Sequence, residues 1–122
     1  MARGFTLVEL MVVVAVIGVL ATIAIPLFVS VQARGRIAKA QADSRSLASA
    51  VGVYGAHMGS IPATLSQLTT VATNALGNRA GPFMSSVPAP PGGWTTYSYV
   101  PSVSAGTYSI TTSGDGTSVI LP

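Results

Sequence analysis

The sequence contains no cysteine. That removes a disulfide framework, a thiolate metal site and a cysteine nucleophile. Charge is almost as scarce. Asp, Glu, Lys and Arg make up 7% of the residues, where a soluble globular protein carries about 25%. The acids are Glu9, Asp43 and Asp115, and the single histidine is His57. They are spread over the whole chain, whereas a catalytic centre needs converging groups. The many Ser and Thr have no base beside them, and no phosphate loop, paired carboxylates or metal-ligand spacing is visible. An enzyme is not expected, and neither is a cofactor. His57 falls at an expected helix end, where a cation suits the dipole; that role or simple exposure is the reading. Trp94, Tyr97, Tyr99 and Tyr108 are read as the core of a small sheet, with a binding patch as the alternative.

What the chain does have is one long apolar run. From Leu10 to Val29 there is no charged residue. About 20 such residues in a helix match the roughly 30 Å hydrocarbon core of a bilayer. Glu9 stands at the front edge of this run and Pro26 near its back. An acid at membrane depth costs on the order of 3 kcal/mol and is read as functional until a partner explains it. A lone carboxylate in hydrocarbon either protonates or finds a cation. No basic residue lies within the run to supply that cation. The alternative is that Glu9 sits at headgroup level and is solvated.

A secretory signal peptide would have an apolar core of about 7–15 residues followed by a small-residue cleavage site. Here the run is longer and lacks that exit. The candidate cut lies before it, at Gly4–Phe5, after Met1-Ala2-Arg3-Gly4.

The pI near 9.8 raises a nucleic-acid reading, which the placement of charge opposes. Arg34, Arg36, Lys39 and Arg45 follow closely on the apolar run, and beyond Gly59 only Arg79 stands against Asp115. The basicity belongs to a stem suited to lipid headgroups, and nucleic acid is not an expected partner.

Residues 5–58 read as one helix of about 54 residues, roughly 80 Å long. Gly35 is an isolated weak point within it. Residues 5–31 would cross the membrane or form a filament core. Residues 32–58 are amphipathic, with Ile37, Ala40, Ser44, Leu47, Val51, Tyr54 and Met58 on one face. Arg36, Lys39, Asp43 and Arg45 are placed opposite, with Lys39 and Asp43 close enough to pair. A rod of that length serves assembly rather than a lone small domain. Pro26 withholds an amide from the carbonyl of Thr22, and with Gly18 it marks a place where the helix can bend.

Gly59-Ser60-Ile61-Pro62 closes the rod and opens a head over residues 59–122. Thr64–Leu68 reads as a short helical turn or a capped loop, and residues 74–93 as loop. Strands are expected at Thr96–Val100, Thr107–Thr112 and Thr117–Leu121, with turns at Ser104-Ala105-Gly106 and Ser113-Gly114-Asp115-Gly116. The fold class is α+β: one long N-terminal helix packed against a small antiparallel sheet of about three strands. Such a sheet is marginal alone, and the helix supplies the missing core.

Gly4-Phe5-Thr6-Leu7-Val8-Glu9-Leu10, the apolar run behind it, Gly18 and Ile25-Pro26 resemble the N-terminus of type IV pilins and of the pseudopilins of type II secretion. Tyr54 through Pro62, then Leu65 and Leu68, are similar to the helix exit of the major pseudopilin. Val87-Pro88 to Trp94, Tyr97–Val100, Tyr108–Ile110 and Ser113–Gly116 follow the order of that family's sheet.

The resemblance implies a leader of residues 1–4, cut between Gly4 and Phe5 by a prepilin peptidase, and N-methylation of Phe5. It implies that Glu9 answers the amine of a neighbouring subunit, and that Gly18 and Pro26 bracket a segment that melts on assembly. The implied partners are copies of the chain in a helical filament, the peptidase, an inner-membrane assembly platform, related minor subunits and the lipid bilayer. The implied location is the bacterial inner membrane with the head in the periplasm, then a periplasmic or cell-surface filament. Counting Lys and Arg on either side of the run would place the head in the cytoplasm instead. The expected function is a filament subunit serving type II secretion. A major or minor type IV pilin for adhesion, motility or DNA uptake is one alternative, and a membrane-anchored binding module that never polymerises is another. The major pseudopilin also carries a calcium site in its C-terminal loops. Asp115 is the one weak candidate for it here, and a plain Asp-Gly turn is the favoured reading.

Overall fold

The structure, a computed structural model, describes residues 2–122. One helix, α1, spans Leu7–Met58 without a break at Gly18, Pro26 or Gly35. Its start is set by chemistry that the apolar run hides. Thr6 and Glu9 form a reciprocal capping box, in which each side chain accepts the other's backbone amide. The helix therefore begins at Leu7 and not at Phe5, and residues 2–6 stay non-helical. Its end is set by Gly59, whose φ of 76° lies in the left-handed region that a helix-terminating glycine adopts without a Cβ penalty.

The chain divides into two compact units, Met1–Gly35 and Arg36–Pro122. In the first, every large hydrophobic side chain from Phe5 to Val31 is more than half exposed. The polar side chains inside the run are satisfied locally: the hydroxyls of Thr22 and Ser30 donate to the carbonyls of Val19 and Leu27. Exposed apolar surface of this extent marks a membrane or protein contact.

The second unit carries the core. A short 3-10 turn at Leu65–Thr69 leads to two-residue strands β1 (Ala72–Thr73) and β2 (Arg79–Ala80), which pair antiparallel. Then β3 (Ser98–Ser102), β4 (Thr107–Gly114) and β5 (Thr117–Leu121) form an antiparallel meander in that order. Tyr99 faces Ile110 across β3 and β4, and Ile110 faces Leu121 across β4 and β5. The inward residues of β4 meet the helix stripe: Leu47, Val51, Leu68 and Ile110 are fully buried, with Ala50, Tyr54 and Tyr97 beside them. Ala40, Trp94 and Val119 make a second buried group, with Ile37 packed against it.

Two expectations need correcting. The first strand of the meander starts at Ser98 and runs through Pro101. It pairs only with β4, and an edge strand tolerates a proline because one side of it needs no donor. Arg36, Lys39 and Asp43 do not form a face turned away from the head. They flank the buried stripe and reach the head loops.

Candidate assembly site and head clasps

At the N-terminus the structure places Gly4 and Phe5 in exposed, non-helical backbone directly ahead of the capped helix. The Glu9 carboxylate is held by its own turn. Its Oε2 accepts from the Thr6 amide at 2.8 Å and from the Thr6 hydroxyl at 3.0 Å. The Thr-x-x-Glu spacing was the available signal for this box. Gly18 and Pro26 both lie within intact helix in this structure. The two are not brought together with each other or with Glu9 as a pocket; they are stations along one exposed apolar surface.

The head is tied to the helix by two polar clasps. The β4–β5 turn has Asp115 (φ 50°) and Gly116 (φ 71°) both in the left-handed region, with Gly114 facing Thr117 on either side. That is the two-residue hairpin turn with which an Asp-Gly pair is compatible. The geometry points the Asp115 carboxylate at the helix. Arg36 donates from Nε to Oδ2 at 2.7 Å and from Nη2 to Oδ1 at 2.8 Å. Trp94 donates from Nε1 to Oδ2 at 2.8 Å. The Arg36 bond, then the Trp94 bond, hold the Asp115 carboxyl down at about 2. The same pairing raises the Arg36 guanidinium further.

The second clasp lies one turn along the helix. Lys39 donates to Asp43 and to the backbone carbonyl of Ala89, and the Tyr97 hydroxyl donates to Asp43 at 2.7 Å. Burial, and then the bond to Asp43, push the Tyr97 phenol above its ordinary value. Tyr99 donates to the carbonyl of Pro62 at 2.8 Å. Trp94, Tyr97, Tyr99 and Tyr108 thus pack inward and anchor by their polar tips. His57 lies in the last turn of α1, as expected; the residue is half-buried, its Nε2 is buried without a hydrogen-bond partner among the described residues, and its backbone carbonyl accepts from Asn74.

A calcium ion needs six to eight oxygen ligands, usually with several carboxylates. Both oxygens of Asp115 already accept from Arg36 and Trp94. Among the described residues no three His, Cys, Asp or Glu side chains come together. The donor set at Asp115 does not fit the metal.

Two family profiles match. Residues 1–25 match the prokaryotic N-terminal methylation motif. Residues 28–118 match type II secretion system (T2SS), protein G, which takes in the helix exit, both clasps and the meander as far as the start of β5. The chain belongs to the type II secretion protein G family. Its relatives are pilins and pseudopilins, structural subunits and not enzymes. The chain is 32% identical over 75 residues to the type II secretion system core protein G of Pseudomonas aeruginosa, covering 62% of this chain and 53% of that one. It is 56% identical over 45 residues to the type IV major pilin protein PilA of Myxococcus xanthus, covering 37% and 20%. It is 43% identical over 49 residues to the type IV major fimbrial protein FimA of Dichelobacter nodosus, covering 40% and 31%. The chain thus spans between a fifth and about half of the length of these relatives. No solved structure matches it. Membership makes it a pilin- or pseudopilin-like structural subunit, and α1 is one helix long and apolar enough to cross a membrane.

Proposed function

We propose that this chain is a pseudopilin that builds the short filament of a type II secretion machine. The observation that carries the reading is the protein G profile over residues 28–118, which includes most of the head. The pilin and fimbrial relatives match over shorter stretches, 45 residues for PilA and 60 for EcpB, than the 75 residues shared with core protein G. In this reading a prepilin peptidase cuts between Gly4 and Phe5, where the backbone is non-helical and exposed, and Phe5 is methylated. The cut frees an amine that Glu9 of a neighbouring subunit answers. The Thr6 bonds hold that carboxylate in the stored subunit and are given up for the intersubunit pair. Gly18 and Pro26 supply the segment that loosens as the rod moves from lipid into the filament. The head faces the periplasm, and an inner-membrane platform and minor subunits complete the machine.

The second reading is a type IV pilin, favoured by the 56% identity to a major pilin over 45 residues. Deleting the gene separates the two. Loss of secreted proteins from the medium with surface filaments intact is the expected result. Loss of surface filaments with secretion intact would overturn the pseudopilin assignment.

A further inference from the structure

We propose that Arg36 and Lys39 are resident cations of the head, and that its loops are held to the helix without any divalent metal. Two carboxylates lie in the unit that begins at Arg36, Asp43 and Asp115. Each has a cation of the chain's own on it. Arg36 places its fork on both oxygens of Asp115, a geometry that gives two parallel charge-assisted bonds. Lys39 serves Asp43 and, with the same ammonium, the Ala89 carbonyl.

The pattern of ligands is that of a loop-ordering cation. Arg36 draws in the carboxylate of a hairpin turn, and Lys39 draws in a backbone carbonyl of the proline-rich loop together with a side-chain carboxylate. Each clasp also holds an aromatic donor to its carboxylate, Trp94 Nε1 on Asp115 and Tyr97 Oη on Asp43. Donors of this kind are compatible with a carboxylate already neutralised by an organic cation. They are the wrong polarity for a metal, which needs oxygen acceptors turned towards it. Arg36 and Lys39 are three residues apart on one helix, hence on one face, so a single turn of α1 fixes two loops. A guanidinium does not dissociate into solution and keeps its charge at any physiological pH. The head is thereby made indifferent to the concentration of free divalent cation around it.

The single tryptophan of the chain, Trp94, is itself a member of the Arg36–Asp115 clasp and reports on it. The test is thermal unfolding of the full chain in detergent micelles, followed by Trp94 emission, with EDTA or with millimolar calcium chloride. The expected result is the same midpoint and the same native emission in both. Arg36→Gln is expected to lower the midpoint by several degrees and shift the emission to the red, equally with and without EDTA. Arg36→Lys, which keeps the charge and loses the fork, is expected to fall between. A wild-type midpoint that drops in EDTA or rises with calcium would overturn the proposal, as would an Arg36→Gln variant indistinguishable from wild type. The chelator comparison uses the unaltered chain, so it decides the question even where a variant does not fold.

Discussion

Gly114 lies directly against the face of Trp94: a Cβ added at Gly114 would clash with the indole ring. This close approach seats the buried indole so that its N–H reaches Asp115 in the next residue position. The last residue of β4 is thus a glycine for lack of space rather than for turn conformation, since the left-handed residues are Asp115 and Gly116. Gly114→Ala is expected to destabilise the head by about 1–3 kcal/mol, the range for overpacking. Chemical denaturation followed by Trp94 emission measures it, with an altered native spectrum because the indole must move.

Acid should loosen the same corner. The folded Asp115 carboxyl is held at about 2 by Arg36 and Trp94, below the ordinary value of 3.8 that it regains on unfolding. Between those values the unfolded chain binds more protons, so stability falls as pH falls. The contribution is complete above about pH 4 and is lost on approach to about pH 2. Melting of the wild type across that window should show the decline. Asp115→Asn should start less stable at neutral pH and lose less on acidification.

At the second clasp, Tyr97→Phe removes the donor from Asp43 while keeping the ring in the core. A hydrogen bond to a charged group contributes about 1.5–3 kcal/mol, and a loss in that range is expected from denaturant melts. The phenol's raised value predicts the direction in alkali. The bond stabilises the fold while the phenol is protonated, and that contribution is lost as pH rises past about 10, where the unfolded phenol ionises. Tyr97→Phe should remove this part of the alkaline decline.

The core prediction concerns Leu47 and Ile110, both fully buried, one from the helix and one from β4. Leu47→Ala should cost about 2–5 kcal/mol and Ile110→Val about 0.5–1.5 kcal/mol. Arg79, exposed on β2 and in no ion pair among the described residues, provides the control: Arg79→Ala should stay within about 0.5 kcal/mol of wild type. Equilibrium unfolding of the three variants checks the ranking.

What could be read in the sequence was what repeats locally. The stripe through Ala40, Leu47, Val51 and Tyr54 marks the buried face, and Asp115-Gly116 marks a turn by its chemistry. The third meander strand has the expected limits, Thr117–Leu121. The strands β1 and β2 are two residues each, too short to leave a pattern. Pro101 ended the expected first strand because a proline ordinarily does; only the sheet order shows that it lies on an edge. The Arg36–Asp115 pair joins residues 79 apart in the chain, and no local spacing announces it. Solvated-face charges and clasp charges look alike on a helical projection, since both flank an apolar stripe. At Glu9 the signal was present: Thr6 and Glu9 have capping-box spacing, overshadowed by the apolar run that follows.

In the proposed assembly, Glu9 exchanges its bonds to its own Thr6 for the new amine of a neighbouring subunit. The direct measurement is filament yield from Glu9→Ala, alongside its membrane insertion and the intact mass of the mature chain. The wild-type chain is expected to lack Met1–Gly4 and to carry one added methyl group on Phe5. The Glu9→Ala chain is expected to insert normally and form no filament. Wild-type filament yield from Glu9→Ala would contradict the charge-pair role, and a mature wild-type chain that still carries Met1–Gly4 would contradict the route to it.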